Sequence, residues 1–210
     1  MKRLMMSMTS AVIALSLCAS AHAQLTAGVS LGQQSTSDGN YCGMVGFSCK
    51  NDDMVGTVRL GLRVLPFPAD SLVGQIGHTS IEIAYTNYGT LKTKGPLYGV
   101  SDKATWDDKL YSLSLGTAYE LRISPSMSFV TRLGVSSFKA TENFTRVEGS
   151  PSMEVSSRRS AQLYYGLGAT YRLNSRIAFT GDLLFSRAPV SGSSSRDIHN
   201  VSTGVVYSFN

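Results

Sequence analysis

The stretch Asn200 to Asn210 reads N-V-S-T-G-V-V-Y-S-F-N, and its alternation decides which architectures are open to the chain. Val201, Thr203, Val205, Tyr207 and Phe209 form one row; Asn200, Ser202, Gly204 and Ser208 form the other. A period of two is the signature of a strand. One apolar face and one small polar face suit a barrel wall with lipid outside and a polar lumen inside. They equally suit the edge strand of a soluble sandwich, so the rest of the chain must separate the two.

The other end carries an export signal. Lys2 and Arg3 form a positive n-region, Ala11 to Cys18 a mostly apolar h-region, and Ala21-His22-Ala23 a small-x-small cleavage site. Cleavage after Ala23 makes Gln24 the first mature residue, so residues 1–23 are read as a signal peptide and not as fold. The apolar run is shorter than the about 20 residues a spanning helix needs. Cys18 raises a lipoprotein alternative, but Leu17 before it is bulky where that pattern wants Gly, Ala or Ser.

Without the signal the chain has 17 basic and 14 acidic side chains, a net charge of +3 instead of +5. The longest basic run is Arg158-Arg159, with no aromatic interleaving, so the high pI is not a nucleic-acid footprint. After Gln24 the apolar runs are only a few residues long, which excludes a transmembrane helix; membrane insertion would need a barrel. The mature chain holds two cysteines, Cys42 and Cys49, with six residues between them in a C-x6-C pair. Export makes a disulfide the natural reading, since a tetrahedral metal site would need further Cys or nearby His ligands.

Strands then alternate with two kinds of connection. The first covers about residues 24–34, with Leu25, Ala27, Val29 and Leu31 against Thr26, Gly28, Ser30 and Gly32. The second covers 54–65, the third about 72–88, and the fourth alternates most clearly, with Tyr111, Leu113, Leu115, Tyr119 and Leu121 against Ser112, Ser114, Gly116, Ala118 and Glu120. A fifth holds Phe129, Leu133 and Val135, a sixth Leu163, Tyr165, Leu167 and Tyr171, and a seventh Ile177, Phe179, Leu183 and Phe185; the C-terminal strand is the eighth. Short turns fall at Pro66–Asp70, Ser124–Ser126 and Asn174–Arg176. Long loops are expected at about residues 35–53, 89–108, 139–160 and 187–197. The regular order of long and short connections fits an up-and-down barrel inserted from one side.

The faces agree. Arg59, Arg63, Glu82, Glu120, Arg132, Arg172 and Asp182 all fall on the small polar face and none on the apolar row. A charge at the lipid midplane costs roughly 2–4 kcal/mol. Tyr119, Phe129, Tyr171, Phe179 and Tyr207 lie near the short turns or the C-terminus, and Tyr85, Tyr111, Tyr165 and Phe185 near the long loops, which reads as two aromatic girdles.

With this architecture and its G-V-V-Y-S-F ending, the chain resembles the small outer-membrane barrels of Gram-negative bacteria, the OmpA-type transmembrane domain and OmpX/Ail-like surface proteins. The resemblance covers residues 24–210 and implies an all-β, eight-stranded antiparallel barrel in the cell outer membrane. It implies that Val205, Tyr207 and Phe209 present the terminal signal read by the barrel assembly machinery. Such chains usually end on the aromatic, whereas Asn210 follows Phe209 here. No peptidoglycan-binding domain follows the barrel, so wall tethering is not expected.

One constellation has the residue types for catalysis. His78-x-Ser80-x-Glu82 places a base, a nucleophile and a carboxylate on one strand face, superficially like the His-x-Ser element of outer-membrane lipid A deacylases. Same-face neighbours stand about 6.5–7 Å apart, and these point to the lumen, away from a lipid substrate. The alternative is that His78 and Ser80 fill space and Glu82 pairs with an arginine. The lumen charges read as a plug, with Glu120 near Arg132, Arg59 near Glu82, and Asp182 near Arg172 or Arg132, because buried charges persist when paired. In the loops, Lys92, Lys94, Lys103, Arg146, Arg158 and Arg159 are candidates for contact with lipopolysaccharide phosphates. Trp106 is placed in the second loop.

The sequence thus predicts a monomeric barrel that uses no cofactor and acts in envelope integrity and surface interaction. Adhesion or resistance to host defences follows by family analogy. A lipid A-modifying enzyme and a narrow ion channel are the competing classes.

Overall fold

A computed structural model describes residues 24–36, 48–50, 54–64, 77–96, 103–145, 153–189 and 195–209. Every regular element in it is a strand. The strands are β1 (Gln24–Thr36), β2 (Ser48–Lys50), β3 (Met54–Val64), β4 (Gly77–Pro96), β5 (Lys103–Arg122), β6 (Met127–Thr145), β7 (Met153–Arg172), β8 (Ile177–Pro189) and β9 (Ser195–Phe209). All pairings are antiparallel, and the order β4-β3-β1-β9-β8-β7-β6-β5 closes on itself through β4–β5. The eight long strands form the barrel, and β2 lies outside it against Lys92–Lys94 of β4. The C-terminal strand closes the wall, with Leu25 opposite Phe209, Ala27 opposite Tyr207 and Val29 opposite Val205.

At one end the two described connections are tight. In the β5–β6 turn Met127 N–H donates to the Ser124 hydroxyl at 3.0 Å. In the β7–β8 turn the Asn174 side-chain oxygen accepts from the backbone N–H groups of Arg176 and Ile177, both at 2.8 Å. Such side-chain bonds to the backbone two or three residues on are why Ser and Asn favour turns.

The distribution of exposure rules out a sandwich. Leu115 and Leu133 are each 61% exposed, whereas Asp182 is 3% exposed. Outward apolar positions on every barrel strand merge into a continuous band far larger than a soluble monomer presents. On β5 the band runs from Tyr111 to Tyr119, matching the about 9–11 residues a tilted spanning strand needs. Rings gather at its two rims. Tyr85 stacks on Tyr111 at 6.3 Å and Tyr165 on Phe185 at 5.1 Å at one rim, while Tyr207 meets Phe209 edge-on at 4.9 Å at the other.

The strands run beyond the boundaries read from sequence. Much of the expected loop at 89–108 is strand, because β4 continues to Pro96 and β5 starts at Lys103. Likewise β6 reaches Thr145, β7 starts at Met153, β8 reaches Pro189 and β9 starts at Ser195. In the expected loop at 35–53, Ser48–Lys50 forms β2. The third expected strand is described from Gly77, and its expected start at about Leu72 lies outside the described residues.

The physical reason is a reversal of the pattern. Above the apolar band the inner row is apolar, with Leu110, Phe138, Ala140 and Ile198 buried, and the outer row is polar, with Lys109, Lys139 and Arg159 exposed. β4 makes the same change through a register shift between Asn87 and Thr90, where Gly89 takes a φ of 77°. That left-handed conformation suits glycine. Trp106 therefore lies on β5, not in a loop, and packs on Phe144 at 5.6 Å. The signal peptide, Cys42 and the expected turn at Pro66–Asp70 lie outside the described residues, as does the side chain of Cys49.

Two measurements test this layout. Detergent-folded protein is expected to change its gel mobility on boiling, as a heat-resistant closed barrel does. Leu115→Arg, halfway along the lipid-facing row of β5, is expected to cost about 2–4 kcal/mol in a denaturant titration in vesicles. Asn143→Arg, on an outer row beyond the band, should cost less than about 1 kcal/mol.

Candidate functional site

All seven charged residues of the polar face point into the barrel, and they sort into two groups. The upper group is a ring of four. Arg132 on β6 donates from Nε to Glu82 Oε2 at 3.0 Å and from Nη1 to Asp182 Oδ1. Arg59 on β3 donates from Nη1 to Asp182 Oδ2 at 3.2 Å, and its Nε lies 3.6 Å from Glu82 Oε2. Each carboxylate thus bridges both guanidiniums. The side chains are 0–12% exposed, where an unpaired charge would be costly.

The backbone makes room for this ring with glycine. A Cβ on Gly168 would sit 3.2 Å from Arg132 Nη1 and also against Asp182. Gly116 and Gly134 are opposite one another on β5 and β6, and the Tyr164 ring occupies the space a side chain would take there.

The lower group lies toward the tight turns. Glu120 Oε2 accepts from Arg63 Nη2 at 3.2 Å, and its Oε1 from Arg172 Nη2. Arg63 Nη1 also donates to Gln24 Oε1 at 2.6 Å. The pairs read from sequence are partly rearranged. Arg59–Glu82 and Arg132–Asp182 meet as expected, but Glu120 meets Arg63 and Arg172 instead of Arg132. In the tilted sheet Arg132 stands opposite Ala118 and not opposite Glu120, and the narrow lumen lets a side chain reach strands that are not its neighbours.

Above the ring comes a layer of small polar groups. Thr57 and Thr86 share a hydrogen bond of 3.1 Å, and Ser114 and Ser136 one of 2.7 Å. Next is an apolar plug of Val55, Tyr88, Leu110, Phe138, Ala140, Ala188 and Ile198, in which the Tyr88 and Phe138 rings lie 5.7 Å apart. Sequence reading misses the plug and Tyr164. The signal is present as apolar residues on the inner parity of strands whose outer parity has turned polar.

His78, Ser80 and Glu82 share the inner face but do not form a relay. The Ser80 hydroxyl donates to the Ala118 carbonyl at 3.5 Å, Glu82 is held by Arg59 and Arg132, and His78 stands opposite Glu120. Among the described residues these three side chains form no hydrogen bond with one another. Of the candidate lipopolysaccharide contacts, Lys92, Lys94 and Arg159 are exposed. Lys103 and Arg158 are on β5 and β7, with side chains outside the described residues, as is Arg146. Val205, Tyr207 and Phe209 all lie on the outer row of β9.

The sequence matches the family described as outer membrane protein beta-barrel domain over residues 5–209. Among solved structures, the chain is similar to a major outer membrane protein from Thermus thermophilus, at 12% identity and a TM-score of 0.55, covering 90% of this chain and 100% of that one. It is similar to Neisserial surface protein A at 14% identity and a TM-score of 0.52, covering 89% and 97%. The attachment invasion locus protein Ail of Yersinia pestis aligns at 16% identity and a TM-score of 0.49, covering 89% and 97%. At these identities the likeness concerns the fold. A comparison with curated proteins finds no match.

Removing one member of the buried ring should expose its value. Asp182→Asn leaves two guanidiniums against one carboxylate and is expected to cost about 3–5 kcal/mol in a denaturant titration. Adding Arg132→Met to that variant should recover part of the loss. With the ring and plug intact, planar-bilayer recordings are expected to show no steady ionic current.

Proposed function

The chain belongs to the outer membrane protein beta-barrel domain family, and from that membership we propose that it works by what it holds at the outer surface. It stabilises the envelope by binding lipopolysaccharide phosphates at its rim and presents an interaction surface above them. The observation that carries this reading is a basic patch just above the apolar band.

Lys139 and Arg159 stand directly opposite one another on β6 and β7, both outward and exposed. Tyr111 is opposite Lys139 on the other side, and Lys109 follows on the next outward position of β5. Like charges placed directly across a strand pair destabilise a sheet, and an anion shared between them reverses that cost. Lipopolysaccharide phosphates lie at this height in the outer leaflet, within the short range over which surface charge acts. On β4 Lys92 and Lys94 are also exposed, with Lys92 opposite Asp107 of β5 and Lys94 opposite Thr105.

The taller strands and their connections then stand clear of the lipid. Adhesion or resistance to host defences belongs to this part, by analogy with surface barrels. The protein acts as a monomer, and Val205, Tyr207 and Phe209 form the strand end recognised by the barrel assembly machinery. A disulfide between Cys42 and Cys49 would staple the first outer connection.

The combined variant Lys109→Gln, Lys139→Gln and Arg159→Gln is expected to bind lipopolysaccharide about tenfold more weakly or worse, since each charged hydrogen bond is worth roughly 1.5–3 kcal/mol. Unchanged retention on immobilised lipopolysaccharide would remove the proposal. Deleting residues 97–102 or 146–152 should lower host-cell binding or serum survival while leaving heat-modifiable folding intact.

A further inference from the structure

The two charge groups of the lumen differ in balance. In the upper ring two guanidiniums face two carboxylates. At the mouth beside the tight turns, the periplasmic end of such a barrel, Arg63 on β3 and Arg172 on β7 pair with a single carboxylate, Glu120, and Arg122, two residues on from Glu120 on the same face of β5 and opposite Ser128, adds a third positive charge near Arg63 and His78. Glu120 is engaged on both oxygens, because Oε2 accepts from Arg63 and Oε1 from Arg172. The guanidiniums are not fully engaged. Each carries five N–H donors in a planar fork, and the bonds described use two of Arg63 and one of Arg172. Arg122 forms no ion pair among the described residues.

The surroundings favour a guest over further internal pairing. Ser128, Thr170 and Ala178 occupy the neighbouring inner positions, so small side chains separate the basic groups. Arg63 and Arg172 side chains are 24% and 22% exposed, and Arg122 is exposed at the rim. They can be reached from the mouth while being largely shielded from bulk water, where a charged hydrogen bond keeps more of its strength. His78 lies beside them and adds a further N–H group.

We propose that the periplasmic mouth of the barrel is an oxyanion site that takes a phosphate group, gripped by Arg63, Arg122 and Arg172, with Glu120 bridging Arg63 and Arg172 and fixing their positions. Planar guanidiniums match the geometry of phosphate oxygens. The phosphate could be free in the periplasm or carried by an anionic phospholipid headgroup of the inner leaflet; both offer the same chemistry.

The test uses the mature protein folded in phosphatidylcholine vesicles and follows its thermal unfolding midpoint. Inorganic phosphate, compared with chloride at equal ionic strength, is expected to raise the midpoint saturably. Arg122→Gln should raise the half-saturating phosphate concentration about tenfold, a change of about 1.4 kcal/mol. Arg187→Gln, at the opposite end of the barrel, should leave it unchanged. Gel mobility before boiling confirms that each variant is folded. A second arm replaces part of the lipid with phosphatidylglycerol and omits phosphate. A rise in the midpoint there, again lost in Arg122→Gln, assigns the site to a lipid headgroup; a response to dissolved phosphate alone assigns it to a free phosphate. An equal response in Arg122→Gln and the parent protein, or no response in either arm, overturns the proposal.

Discussion

The hydrogen-bonded seam between β1 and β9 is the constraint on which everything else rests. Lipid offers no partner for a backbone N–H or C=O, so a sheet inside a bilayer must have no edge. Pairing Leu25 with Phe209 and continuing to Thr36 opposite Ile198 removes the edge along the whole first strand. Closure with eight strands fixes a narrow interior. That width explains why glycine, serine and alanine recur on the inner face, and why long charged side chains fit only where glycines such as Gly168 give way. The ring of Arg59, Glu82, Arg132 and Asp182 is thus a product of closure: it draws on four strands that only a closed wall brings together.

The two solvents outside the wall divide each strand into two regimes. Within the bilayer, polar residues face in and apolar residues face out; above it the assignment exchanges while the pairing continues unbroken. Leu110 and Lys109, adjacent in sequence, mark the exchange on β5, and Phe138 and Lys139 mark it on β6. The upper part is built like a small water-soluble β-protein, with Tyr88, Phe138 and Ile198 as its core. The lower part has the inverse arrangement, with salt bridges in place of hydrocarbon at its centre.

This exchange also explains which features can be read from sequence. Inside the bilayer the alternation of β5 and β9 is plain, because one row must be apolar throughout, and the inward placement of all seven charges follows from the same rule. Beyond Tyr111 and Ser137 the rule reverses, and a reading that expects apolar residues outside finds polar loops where strands continue. The partners of Glu120 are illegible for a different reason. Sequence gives the face of a residue and its distance from a turn, but the tilt of the strands decides which inward side chains share a level, and that depends on the whole sheet. Lys139 does not stand out as a surface group in the sequence, because its significance comes from Arg159 across the pair, which only the register supplies.

The ring of four charges bears on how the wall can be built. Arg59 and Asp182 lie 123 residues apart in the chain, and neither acid alone can neutralise both arginines. A sheet lacking β8 would hold Arg59 and Arg132 against Glu82 only, leaving a net positive charge in a low-dielectric interior. A sheet lacking β3 would leave two carboxylates against one guanidinium. Partly assembled states are therefore penalised at the same depth where the finished state is neutral. The barrel carries within it an electrostatic check on completeness: only a wall that holds both β3 and β8 is neutral at this depth.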